Sequence, residues 1–308
     1  MFSFRYGILN NNIDVTDKVY NKCINNNVLF IPSDDNRRAN LFSDPLFGVV
    51  KSIIIMDNDN IIATIDHKSE VYIDIDEKKI YLNEIPESII DKYYVDCIGV
   101  KKIQKNLKLE YGSFDEEFPE QKMAVKYLTG NEKVLEIGAN IGRNSLIISY
   151  ILNKNNNFNF VTLECDKNIA NQLMHNRAIN NLKFFIENAA LSKRNLIQRG
   201  WDTMVSDIIL DGYKKVNTIT LDELNAKYKI EFDTLVLDCE GAFYYILMDM
   251  PEILNNIKLI IMENDYKKIE EKNYIDTILK NNGFYIDYNE AGGRGPCYNN
   301  FFQVWKRD

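Results

Sequence analysis

Histidine is nearly missing from this chain: only His67 and His175 occur in 308 residues, and neither closes an apolar run. A catalytic imidazole is therefore not expected, and proton transfer falls to carboxylates. Cysteine is sparse and odd in number. Cys23, Cys97, Cys165, Cys239 and Cys297 are scattered, with no C-x-x-C pair and no metal spacing that includes a histidine. That pattern suits reduced thiols in the cytosol rather than a disulfide scaffold, and no metal ligand set is read from it. No apolar run approaches the ~20 residues that span a bilayer. Met1 to Asn12 lacks a charged region followed by an apolar one, so no secretory signal is read there. The expectation is a soluble, intracellular, cytoplasmic protein. No dense Lys/Arg stretch occurs and the formal net charge is −8, so nucleic acid is not an expected partner.

What the sequence does contain is a folded composition. At 308 residues and 45% hydrophobic, the chain is long enough for about two domains with sizeable cores. Asparagine runs at residues 10–12, 25–27 and 155–157 read as polar turns.

The stretch Val134-Leu135-Glu136-Ile137-Gly138-Ala139-Asn140-Ile141-Gly142 organises the rest. Apolar residues lead into an acid, a glycine-bearing turn follows, and the apolar pattern resumes at helical spacing through Leu146, Ile147, Ile148 and Ile151. That is a strand, a ligand-binding turn and a helix, in which glycine lets the backbone come close to a ligand. A dinucleotide site would want G-x-G-x-x-G to cradle a pyrophosphate. Here Asn140 replaces the middle glycine, and Glu136 points an acid at the ligand. A ligand with positive charge and no phosphate fits better, and S-adenosylmethionine (SAM), with its sulfonium and ammonium groups, is one. A plain strand-turn-helix with structural glycines is the bland alternative.

Residues 1–107 read as a separate β-rich module. Val28 to Ile31 is a strand ending at Pro32 and a polar turn, Ser33 to Asn36. Val49 to Met56 and Ile61 to Ile65 flank the turn Asp57 to Asn60, and Val71 to Asp76 turns at Glu77 to Lys79 into Ile80 to Leu82. Two consecutive hairpins imply an antiparallel sheet with one wet face. Pro86 and Ser88 to Tyr94 read as a short helix. Asp35, Arg37, Arg38, Asp44 and Pro45 form a cluster that could hold a sugar or phosphate group, although loop salt bridges and an Asp-Pro turn explain it as well. The module is expected to help bind the acceptor or a partner subunit, including a second copy of the chain.

From residue 108 to 308 strands and helices alternate. Ser113 and Glu116 suggest a capping box before the helix Pro119 to Leu128. Phe158 to Leu163 is a strand ending at Glu164, where a carboxylate can accept both hydroxyls of a ribose. Asp166 caps the helix Ile169 to Asn180, in which His175 is a surface or packing residue. Lys183 to Ile186 is the next strand, and Asn188-Ala189 at its end leaves room for a flat ring. Gln198 to Ile219 reads as an inserted hairpin, and Thr220 with Glu223 as a capping box. Phe232 to Leu237 ends in Asp238-Cys239-Glu240-Gly241, and Leu259 to Met262 ends in Glu263. The helix Phe243 to Leu254 is bent or restarted by Pro251, and Tyr274 to Asn281 is closed by Gly283. Phe284 to Tyr288 and Phe301 to Trp305 make a terminal hairpin around Gly292 to Gly295. Five strand-helix units and that hairpin make an α/β fold with a seven-stranded mixed sheet.

In these residues the chain resembles the FkbM family of class I SAM-dependent methyltransferases, over roughly residues 108–308. The resemblance rests on Val134 to Gly142, Glu164, Asn188 to Ser192, Thr220 to Leu224, Asp238-x-Glu240-Gly241 and Glu263. It implies a Rossmann-like sheet, SAM as methyl donor and S-adenosylhomocysteine as product. Gly138, Ala139, Asn140 and Gly142 would lie around the methionine part with Glu136 nearby. Glu164 and Cys165 would lie at the ribose, Asn188 and Ala189 at the adenine, and Asp238 close by. The implied acceptor is a hydroxyl of a sugar, glycan or nucleotide-sugar. Members commonly carry a lysine and an acid or histidine where this chain has Val236 and Phe243. Asp238, Glu240 and Glu263 are the candidates for orienting or deprotonating the acceptor, and Trp201, Tyr213 and Tyr298 for stacking on it. Two other readings compete: an NAD-linked oxidoreductase, disfavoured by the missing glycine, and a non-catalytic scaffold, motivated by Val236 and Phe243.

Overall fold

The structure is a computed structural model and describes residues 2–25, 27–84, 86, 89, 95–114 and 116–308. Of the helix expected over Ser88 to Tyr94, all but Ile89 lies outside the described residues. The chain divides into two compact units, Met1–Ile98 and Gly99–Asp308.

The first unit holds two antiparallel four-stranded sheets. One is built from β1 (Phe2–Ile8), β2 (Asn11–Asp14), β5 (Ser52–Asp57) and β6 (Asn60–Ile65), in the order β2-β1-β5-β6; the other, from β3 (Ile24–Asn25), β4 (Val28–Ile31), β7 (Val71–Asp74) and β8 (Lys79–Leu82), runs β3-β4-β7-β8. Both expected hairpins are present, in separate sheets. The strand β1 was not expected, although Phe2, Phe4 and Tyr6 alternate inward with the period of a half-buried strand. They pack with Val19 of α1 (Thr16–Lys22) and with Phe42, Ile53 and Ile73.

The polar turn expected at Ser33 to Asn36 instead starts a helix, α2 (Asp35–Phe42), whose cap is Asp34: its Oδ1 accepts N–H bonds from Asn36 and Arg37. The Asp/Arg cluster serves the interior. Arg38 is fully buried and donates to the carbonyls of Pro32, Asp66 and Ser69. Lys51 Nζ lies 2.9 Å from both Asp35 and Asp44. The buried Arg38 and Lys51 are thus hydrogen-bonded or paired, as buried charges must be, whereas Arg37 is exposed.

Helix α3 (Val95–Gln104) spans the division between the units. In the second unit, α4 (Phe118–Tyr127) precedes β9 (Val134–Ile137), and α5 (Arg143–Lys154) links it to β10 (Phe160–Leu163). Helix α6 (Lys167–Ile179) leads to β11 (Phe185–Glu187). After an insertion, α7 (Leu221–Tyr228), β17 (Thr234–Leu237), α8 (Ala242–Asp249), β18 (Leu259–Glu263) and α9 (Ile269–Asn281) complete the strand-helix repeats, and β19 (Tyr285–Glu290) with β20 (Phe302–Lys306) forms the terminal hairpin. The sheet runs β11-β10-β9-β17-β18-β20-β19; β20 alone runs antiparallel to the others, between β18 and β19. This is the expected seven-stranded mixed sheet. Every residue of β9, β10 and β17 is buried, as strands covered by helices on both faces require.

The insertion is larger than one hairpin. β12 (Ala190–Leu191) pairs in parallel with β16 (Thr218–Ile219), while β13 (Leu196–Arg199) is flanked by β14 (Asp202–Val205) and β15 (Lys214–Val216) in an antiparallel sheet. Thr220 and Glu223 form the expected capping box, and Asp166 caps α6. Ser113 and Glu116 do not cap α4, which begins after Glu117 with no side-chain cap. Pro251 ends α8 and opens a separate 3-10 turn, Pro251–Leu254.

Candidate active site

The carboxyl ends of β9, β10 and β17 meet at one cavity of about 750 Å³, within the range of small-molecule sites. Strand order reverses between β9 and β17, and open α/β sheets bind ligands at that crevice. Gly138 and Asn140 follow β9, Glu164 and Cys165 follow β10, Ala189 follows β11, and Asp238, Cys239 and Glu240 follow β17; all line the cavity. Its other wall comes from the insertion and α8: Trp201, Thr203, Met204 and Tyr245, with Lys267 nearby.

The turn after β9 is held by its neighbours. Gly138 and Ala139 donate N–H bonds to the Leu163 carbonyl at 3.1 and 3.0 Å. Asn140 donates its N–H to Glu164 Oε2 at 2.9 Å, and Asp166 donates to Oε1 at 2.8 Å. Each oxygen of Glu164 keeps a further lone pair for a ligand hydroxyl. Burial pushes this carboxyl above its ordinary value. The Asn140 side chain donates to Glu117 Oε1, which also receives Arg143 Nη1 at 2.6 Å. Glu117, Glu116 and Arg143 were not legible as part of the site, since they converge on the turn only in three dimensions.

The glycines act differently from their sequence reading. A Cβ on Gly138 would lie 1.6 Å from the Asp238 carbonyl oxygen. It is thus the crossing of two strand ends, rather than a ligand, that requires glycine. Gly142, at φ +94°, starts α5 and leaves room for Leu173. Neither Gly142 nor the buried Ala139 lines the cavity.

Glu136 also differs from expectation. Its side chain is turned into the interior and accepts hydrogen bonds from Ser145 Oγ and, at 2.6 Å, from Thr162 Oγ1. It does not line the cavity, and burial pushes its pKa up to about 7. Asn188 lies behind the wall: its amide donates to the carbonyls of Glu164 and Cys165 at 2.8 and 3.2 Å and so fixes that loop.

Of the three candidate acids, Asp238 and Glu240 line the cavity and Glu263 does not. Burial and the charges of Glu117 and Glu120 hold the Asp238 carboxyl well above its usual range. Glu240 sits at φ +51°, and burial of its carboxyl together with Asp265 pushes it up to about 7. Burial pushes the Cys165 and Cys239 thiols up to about 12, with Glu164 and Asp238 adding to the effect. Cys23, Cys165, Cys239 and Cys297 are free thiols. Of the aromatic candidates, Trp201 lines the cavity. Tyr213 donates its hydroxyl to Asp202, and neither it nor Tyr298 is part of the lining. His175 pairs with Glu110 at 2.6 Å on the surface.

The sequence profile described as Methyltransferase FkbM domain matches residues 136–286. Those residues are an FkbM methyltransferase domain. No curated protein matches the chain. Among solved structures it is similar to the O-methyltransferase from Bacillus cereus in complex with S-adenosylhomocysteine, at 15% identity and a TM-score of 0.39, covering 71% of this chain and 97% of that one. It is also similar to the ribosomal protein L11 methylase from Lactobacillus delbrueckii, at 13% identity and a TM-score of 0.40, covering 65% and 81%.

SAM is the cofactor of the FkbM domain, and the cavity fits it. Glu164, Ala189 and Ala190 line the cavity together, and the two carboxylate oxygens of Glu164 would suit a pair of ribose hydroxyls. The expected departures, Val236 and Phe243, are buried core residues of β17 and α8. No helix among the described residues is long and apolar enough to cross a membrane.

Proposed function

We propose that the domain is an O-methyltransferase acting on a hydroxyl of a sugar, glycan or nucleotide-sugar. The observation that carries this reading is the mixed lining of one cavity: small strand-tip residues such as Gly138 and Ala189, suited to a nucleoside, together with the carboxylates Asp238 and Glu240 and the aromatic side chains Trp201 and Tyr245. An aromatic face beside carboxylates suits a hydroxyl-rich ring, which stacks through its C–H face and hydrogen-bonds at its edge.

SAM supplies a methyl group already activated by sulfonium. The chain's own work is to align the acceptor oxygen with that methyl group and to take up the hydroxyl proton. Glu240, at about 7, has the proton affinity that a base working near neutral pH needs. The net charge of −8 favours a small or glycan acceptor over nucleic acid. The unit Met1–Ile98 is proposed to bind that acceptor or a second copy of the chain.

A thermal shift with SAM, S-adenosylhomocysteine and NAD, alongside Glu164→Ala, tests the cofactor half. Stabilisation by the first two that the variant loses is expected, and a shift with NAD alone would reject the reading. Label transfer from methyl-labelled SAM to a panel of sugars and nucleotide-sugars then tests the acceptor half. Transfer to none of them, with SAM binding intact, would favour the scaffold reading that Val236 and Phe243 suggest.

A further inference from the structure

Helix α4 turns Glu120 inward, where it is 6% exposed, and its Oε2 has no hydrogen-bond partner among the described residues. A buried carboxylate oxygen without a donor is costly and calls for a counterpart. Beside it stand Asp238, at the end of β17, and Glu263, the last residue of the adjacent β18. One carboxylate oxygen from each of the three lies within 4.8 Å of the other two. Among the described residues no lysine or arginine forms an ion pair with Glu120, Asp238 or Glu263. The charges that most raise the Asp238 carboxyl are those of acids, Glu117, Glu120, Glu240 and Glu136. Asn264, which follows Glu263, is fully buried and leaves its own Oδ1 without a partner.

We propose that Glu120, Asp238 and Glu263 bind one hard divalent cation of the Mg²⁺ or Mn²⁺ type through their carboxylate oxygens. Such ions take oxygen ligands at about 2.0–2.6 Å, which three oxygens this close together can supply around one centre. The set contains no thiolate or imidazole, so a softer ion such as zinc is not the fit. Asp238 also lines the cavity, so the cation lies beside it. Its use there, as a Lewis acid toward an acceptor hydroxyl, rests on the methyltransferase reading above, whereas cation binding does not.

The test is a titration of the EDTA-stripped full chain with MnCl₂, followed by calorimetry and by the electron paramagnetic resonance of free Mn²⁺. One saturable site per chain is expected. Glu120→Gln and Glu263→Gln should each weaken it at least tenfold, and Glu110→Gln, on the surface, should leave it unchanged. Circular dichroism and the SAM thermal shift, both read without metal, report whether each variant is folded and whether the methyltransferase reading stands by itself. Absence of saturable Mn²⁺ binding into the millimolar range overturns the proposal and leaves a cluster that shares protons. Equal affinity in wild type and both variants overturns it too, by placing the ion elsewhere.

Discussion

Glu136 and Glu164 are two buried acids with opposite tasks. Glu164 accepts the Asn140 and Asp166 N–H groups and shapes the cavity wall. Glu164→Ala is expected to weaken SAM binding at least tenfold, about 1.4 kcal/mol, measured by calorimetry. Glu164→Gln should fall between, because its amide can accept only through one oxygen. Glu136 faces Ser145 and Thr162, and its pKa rises to about 7 on folding. A carboxyl whose folded pKa is raised stabilises fully below its unfolded pKa, and that contribution is lost as pH rises through the folded value. Between pH 4.5 and 7 Glu136 alone should therefore cost the protein about 3 kcal/mol. Glu136→Gln, which can still bond both hydroxyls, is expected to flatten that part of the stability curve. Urea unfolding of both proteins at pH 5 and 7.5 checks it: an unchanged slope in the variant would show that the carboxyl is not the source.

At the scale of elements, the crossing of the loops after β9 and β17 is the tightest joint of the site. Gly138→Ala would drive a methyl group into the Asp238 carbonyl, a backbone atom that cannot rotate away. A loss above ~3 kcal/mol and of SAM binding is expected, read from denaturant midpoints. Gly142→Ala clashes with the Leu173 side chain at 2.3 Å, while Ser145 Cβ stands at an ordinary 3.8 Å, so adding Leu173→Ala should restore part of the loss, leaving the strain at φ +94°.

The strands that build this joint were legible because buried parallel strands are continuous apolar runs that end in polar turns. Which way Glu136 points was not, since all four residues of β9 are buried and a fully buried strand gives no alternation to read. Glu120 left no signal either, because its meaning depends on the face that α4 turns inward. The helix α2 was masked by its composition: Asp34, Asp35, Asn36 and Arg37 look like a turn, and only the cap at Asp34 shows why that turn continues as a helix.

Taken whole, the molecule joins two units whose carboxyls differ in kind: the buried ones that are raised lie in the second, which also holds lowered ones at Glu223, Asp249 and Asp287. In Met1–Ile98, hydrogen bonds from Thr16, Lys51 and Lys68 hold Asp14, Asp44 and Asp66 below their ordinary values. Their contribution is present above the unfolded carboxylate range and is lost as pH falls below it. In Gly99–Asp308, burial raises Glu136, Glu164 and Glu240; the contribution of Glu136 and Glu240, both raised to about 7, is lost as pH rises toward that value. Calorimetry in EDTA, with hydrogen exchange to assign each transition, should show the second unit melting higher at pH 5 than at pH 7.5 and the first hardly moving. A second unit that melts lower at pH 5 would contradict the assignment.

The two thiols in the cavity wall have a further meaning for a protein whose cofactor is an electrophile. Only a thiolate attacks readily, and with Cys165 and Cys239 pushed up to about 12 roughly one thiol in 10⁵ is ionised at pH 7. The neighbours that deny them their negative charge, Glu164 and Asp238, are themselves part of the site. The cavity can therefore hold an alkylating agent against two sulfur atoms without alkylating itself.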